Sequence, residues 1–208
     1  MHETAKETTG LWNGGVAPLG TSSKKLGMWL FIVSDTLTFS VILLAYSYLR
    51  LANPNWPRPF DFYPSIMKST GMTVVLLLSS LTMVLGVAAM HRNDRKATVK
   101  WLLATALGGA IFVVLHMTEW VQLFREGYTP WSNPEGVPLF GATFFGTTGL
   151  HMLHVSIGVI YLLVMAVGVS RDKFSADDVE VSGLYWHFVD LVWMFVFPMI
   201  YLMSIKLR

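Results

Sequence analysis

The sequence predicts an all-α fold, a polytopic membrane bundle of five transmembrane helices with a cytoplasmic N-terminus. Composition, segment length and the lack of strand-like alternation carry that reading. The 208-residue chain is 53% hydrophobic and 13% charged, with a mean hydropathy of +0.52, whereas soluble domains carry about a quarter charged residues. Apolar stretches cover residues 26–49, 71–90, 101–124, 140–169 and 182–205, each near the ~20 residues a helix needs to cross ~30 Å of hydrocarbon. Such long, unalternating runs do not fit barrel strands, and a helix satisfies its own backbone where water is absent.

Residues 1–25 are polar and Gly-rich, with no apolar core of the kind a secretory signal needs. They are expected to form a mobile tail ahead of a five-helix domain over residues 26–208. The first span carries Asp35, ten residues beyond Lys25 and so ~15 Å into the bilayer. A charge at that depth costs at least ~2.5 kcal/mol, so it should face the bundle, a partner or a protonating environment.

Between the first two spans, Asn53, Pro54, Trp56, Pro57, Pro59 and Pro64 make a stiff connection whose aromatics Trp56, Phe60, Phe62 and Tyr63 suit the membrane interface. The third span holds His116 and Glu119, the fourth His151 and His154, and the fifth His187 and Asp190. Each pair is spaced i,i+3 and shares a helix face. Thr143, Thr147, His151, His154 and Gly158 line one stripe of the fourth span, a small and polar packing face. Pro198 is the one proline well inside a span, which disfavours the broken helices of a transporter.

Orientation follows from the basic residues. With the N-terminus inside, Lys6, Lys24, Lys25, Arg92, Arg95, Lys96, Lys100, Arg171 and Lys173 are cytoplasmic, against six Lys and Arg outside. That bias favours the N-inside topology. A net charge of +2 is too small to imply nucleic acid, and the absence of Cys excludes iron–sulfur clusters, thiolate copper and Cys-ligated zinc.

Depth divides the titratable residues. His116 and Glu119 count out at roughly 24 to 29 Å from the inner surface, against roughly 8 to 9 Å for His154 and His187 and ~12 Å for Asp190. At least two polar clusters are therefore expected, with Asp35 closer in depth to His154 and His187 than to the first pair but set apart as a single mid-membrane carboxylate. They can hydrogen-bond between helices at about 1 kcal/mol each. The i,i+3 pairs also invite a metal reading, either di-iron or a haem between His154 and His187. The depth mismatch counts against di-iron, and the haem reading stays open.

At this point the chain resembles subunit III of the haem–copper terminal oxidases, in a short five-helix form, from Lys25 to the C-terminus. YWHFVDLVWMFVFPMIYL from Tyr185 to Leu202 is similar to that family's Trp-His-Phe-x-Asp-x-x-Trp segment. FFGTTGLHMLHVSIG from Phe144 to Gly158 resembles its Thr-Gly-x-His-Gly-x-His-Val element, with Met152 in place of the second Gly. MWLFIVSDTLTFSVI from Met28 to Ile42 looks like the helix with the embedded carboxylate, and HMTEW from His116 to Trp120 like the Glu-aromatic element.

The resemblance implies an accessory subunit of a proton-pumping oxidase in aerobic respiration, set in a bacterial inner membrane beside catalytic subunit I and other oxidase subunits. Haem and copper would belong to those partners, with no catalytic centre or cofactor on this chain, and membrane phospholipid would be bound. Asp35 carries over as the embedded, proton-related carboxylate. His116, Glu119, His151, His154, His187 and Asp190 carry over as intramembrane polar structure or lipid contacts. Asp35 stands where many cytochrome c oxidases have Glu and quinol oxidases often Asp, so a quinol oxidase is the alternative, with the nitric oxide reductase branch behind it. The first two helices of the seven-helix form are missing, which leaves its lipid cleft incomplete.

Overall fold

A computed structural model describes residues 22–206. Most of the expected tail, residues 1–21, lies outside the described residues, and residues 23–25 already belong to the first helix. Five long helices follow: α1 (Ser23–Ala52), α2 (Met67–His91), α3 (Arg95–Arg125), α4 (Pro138–Ser170) and α5 (Ala176–Val196). All five segments are long and apolar enough to cross a membrane.

Each helix starts before its apolar stretch, and at α1, α3 and α5 polar residues supply the caps. Ser22 Oγ accepts from the Lys25 amide at 3.3 Å, and Asp94 Oδ1 from the Ala97 amide at 3.0 Å. At α5 the Ser175 amide donates to Asp178 Oδ2 at 2.9 Å. These contacts satisfy amides that the first turn leaves open. The fifth helix therefore begins six residues before the apolar stretch that announced it.

Its other end is irregular. Val196 leads into a π-helical turn (Phe197–Tyr201) and a short 3₁₀ turn (Leu202–Ser204). Pro198 lacks the amide that a regular helix would use there. A second π turn, Phe62–Ile66, enters α2.

α5 packs against α1, α2 and α4, while α3 packs between α2 and α4. Trp186 locks this arrangement. Its indole is 1% exposed and donates to Ser79 Oγ on α2 at 3.1 Å. A Cβ at Gly109 on α3 would lie 2.3 Å from its Cη2, and one at Gly158 on α4 would lie 2.9 Å from its Cζ3. The two glycines thus leave the space the ring fills.

α1 is the least buried helix, contributing Phe39, Leu43 and Tyr46 to the core. Polar ties hold its ends. Lys24 and Lys25 pair with Asp178 and Glu180 at 2.5 and 2.8 Å. At the far end, Tyr46 Oη and Ser204 Oγ are 2.9 Å apart, and Arg50 donates to the Met203 carbonyl. The loop after α1 departs from expectation, since Trp56 and Phe60 are buried in the core and only Phe62 and Tyr63 are exposed. Phe60 stacks on Tyr201 at 4.8 Å, which the turn at the end of α5 makes possible.

Candidate intramembrane polar site

Asp35 and His154 meet. Asp35 Oδ2 lies 3.3 Å from His154 Nε2, with both side chains 13% exposed. The pair is within ion-pair reach but is not aligned as a hydrogen bond. His154 Nδ1 is 2.8 Å from the Leu150 carbonyl one turn earlier. A carbonyl only accepts, so Nδ1 carries a hydrogen and a neutral His154 presents a bare Nε2 to Asp35. The Tyr185 hydroxyl donates to the His154 carbonyl at 3.0 Å, and Phe39 packs edge-on to the imidazole.

One expectation is corrected here. Asp35 is not isolated from the polar residues of the other helices, since it meets His154. His154 lies sixteen residues before Ser170 at the end of α4, about 24 Å along the helix. Asp35 is twelve residues past Ser23, about 18 Å.

His187 belongs elsewhere. Its Nδ1 is 3.3 Å from Ser80 Oγ, and Ser80 donates to Asp190 Oδ2 at 2.8 Å. Tyr185 and His187 are two residues apart, so about 200° of helix rotation turns one toward α4 and the other toward α2. The His154 and His187 rings therefore face different helices, and they do not form the sandwich that equal depth suggested. Among the described residues no three His, Asp or Glu side chains gather as a metal site.

Glu119 forms a third unit at the opposite end. Ser69 donates to its Oε1 at 2.8 Å, and Tyr201 to its Oε2 at 2.9 Å. One carboxylate so joins α2, α3 and the turn after α5. His116 is not part of it. His116 and His151 are fully buried among aromatics, with ring centroids 5.6 and 5.0 Å from Trp193. Neither imidazole has a hydrogen-bond partner among the described residues. Burial of His116, His151, Glu119 and Asp190 also turns them from lipid head groups toward protein.

α2 supplies what titratable residues alone did not reveal. Ser69 and Ser80 serve Glu119 and Asp190, while Ser79 and Thr73 accept from the Trp186 and Trp193 indoles at 3.1 and 2.9 Å. Hydroxyls at helical spacing within an apolar span were the available signal. The arrangement fixes titratable groups in three separate units of the bundle, and one unit, Asp35 with His154, can hold a proton between two basic atoms.

The cytochrome c oxidase subunit III family model matches residues 5–205. The chain is 31% identical over 192 residues to cytochrome c oxidase subunit 3 of Alkalihalophilus pseudofirmus, covering 91% of each protein. It is 30% identical over 183 residues to cytochrome bo(3) ubiquinol oxidase subunit 3 of Pseudomonas aeruginosa, covering 86% of this chain and 84% of the relative. Quinol oxidase subunit 3 of Bacillus spizizenii is likewise 30% identical, over 86% of this chain and 87% of that protein.

Proposed function

The chain belongs to the cytochrome c oxidase subunit III family, and from that premise we propose how it serves a bacterial haem–copper terminal oxidase as an accessory subunit. The carrying observation is the match over residues 5–205. Dioxygen reduction, haem and copper lie in catalytic subunit I and other partners, and this chain braces them within the membrane. The excess of Lys and Arg on the N-terminal side supports a cytoplasmic N-terminus. Cytochrome c is the favoured electron donor; quinol is the second reading, since relatives of both names match to similar extents.

The Asp35–His154 unit supports a part in proton uptake. With Nδ1 held as a donor, one proton shared between Nε2 and the carboxyl leaves the pair neutral overall, as Asp–H with imidazole or as carboxylate with imidazolium. Neutral pairing keeps the cost of a mid-membrane carboxyl low. Gain or loss of a proton charges the unit, so it acts as a proton-holding station beside the catalytic subunit.

Gentle solubilisation and affinity isolation of this chain test the assignment. Copurification of a subunit with haem absorption bands and bound copper is the expected result. Recovery of the chain without such a partner, under conditions that keep a known oxidase assembled, would overturn it.

A further inference from the structure

Glu119 is buried, at 4% exposed, seven residues or ~10 Å before Glu126 at the end of α3. Gln122 and Glu126, at i+3 and i+7, share its face of the helix and are exposed. Gln122 donates to Glu126 Oε1 at 3.0 Å. With Ser65 and Lys68 from across the interface, these three residues line a cavity of about 10 Å³, the room one water takes. A polar wall therefore runs from a buried carboxyl to the exposed end of its helix.

Ser69, itself fully buried, is the second observation. Its hydroxyl has one hydrogen and two acceptors within reach, Glu119 Oε1 at 2.8 Å and the Ser65 carbonyl at 3.1 Å. With Glu119 ionised, Ser69 and Tyr201 both donate to it. With Glu119 neutral, Oε1 carries the hydrogen and donates to Ser69 Oγ, whose own hydrogen turns to the Ser65 carbonyl. Both protonation states are hydrogen-bonded with every heavy atom in place, so neither leaves a buried polar group unpaired.

The other titratable groups around Glu119 are Lys68 from α2, Tyr201 from the turn after α5, and His116 and Glu126 on the same helix. His151 on α4 lies against Phe112 and Trp193. A cavity of one-water size with Lys68 in its wall suits a water and the proton it carries better than a hydrated metal cation.

We infer that Glu119 is a proton-exchanging site, reached from the aqueous phase at the loop end of α3 through one water in this cavity, with Glu126 at its mouth. Hydronium and carboxylate on one side of the exchange become water and carboxylic acid on the other. The site is separate from the Asp35–His154 unit, and it needs neither oxidase turnover nor a cofactor on this chain.

Infrared difference spectroscopy of the intact assembly in lipid vesicles tests it, reading the carbonyl stretch that a neutral carboxylic acid has and a carboxylate lacks. Subtracting Glu119→Gln from wild type isolates this group from Asp35, Asp190 and the partner subunits. The isolated band should grow as the pH falls and should move when the medium is changed to heavy water. Ser65→Val, which puts two methyl groups at the cavity wall in place of one hydroxyl, should keep the band. It should slow the exchange about tenfold or more, the effect of ~1.4 kcal/mol added to a barrier. Ser69→Ala should shift the band, and Ser69→Thr should leave it in place. No band at any pH, or a band that neither titrates nor moves in heavy water, overturns the inference. Exchange unchanged in Ser65→Val, or a band unmoved in Ser69→Ala, also overturns it. If the Gln variant is not recovered, Glu119→Asp keeps a carboxyl with a displaced band and supports the same subtraction. The readout is the protonation of this chain's own carboxyl, so it is separate from whether haem and copper copurify.

Discussion

At the scale of single residues, the decisive contact joins Asp35 to His154 across 3.3 Å. Two routes to a neutral unit mean that removing either partner strands the other in a poorly solvated place. Asp35→Asn and His154→Gln should each leave assembly intact and lower activity during sustained turnover, or shift its pH dependence. If the two act as one unit, the double variant should lose little more than either single one, with a coupling of ~1 kcal/mol in a thermal stability cycle. Additive losses, together with unchanged turnover across pH, would return both residues to a packing role. The sequence exposed Asp35 and His154 individually, as polar residues in apolar runs. It did not pair them, because counting depth along single helices does not give the rotation and relative height that bring α1 and α4 side chains together.

Among elements, α5 organises the bundle, and its hold on α3 and α4 runs through Trp186. A methyl group at Gly109 would meet Trp186 Cη2 at 2.3 Å and Val159 Cγ2 at 2.7 Å. The indole is rigid and already held by Ser79, so it has little room to yield. Gly109→Ala should therefore cost about 1 to 3 kcal/mol, the usual range for overpacking. Melting of the purified assembly measures it. Trp186→Phe in the same chain should restore part of the loss, and a Gly109→Ala variant as stable as the parent would show that the ring moves freely. α1 follows a different rule. Its apolar packing is thin, and it is fastened by Lys24, Lys25, Asp35, Tyr46 and Arg50 at several levels. A helix fastened in this way keeps most of its surface free for lipid or a neighbouring subunit.

For the whole molecule, five crossings place the chain ends on opposite sides of the membrane. The native sequence has no Cys, so single cysteines report sidedness without background. Cysteine at Asn93, between α2 and α3, should react with an impermeant maleimide only when the cytoplasmic side is accessible. Cysteine at Ser132, between α3 and α4, should react from outside. The reverse pattern would invert the topology. The sequence by itself determined the five helices, the membrane as solvent, the family and the titratable residues to watch, since hydrophobic length and residue type are local properties. Spans read from apolar residues fell short at the starts of α1, α3 and α5 because polar turns capped by Ser22, Asp94 and Asp178 continue the helix beyond the apolar run. The tertiary structure alone decided which polar groups meet. Helix rotation, the shift in height between neighbours and the turn after α5 set those contacts, and none of the three is local to one stretch of chain. Asp35 thus found His154 while His187 turned to Ser80, and the hydroxyls of α2 became partners for carboxylates more than a hundred residues away in Asp190's case.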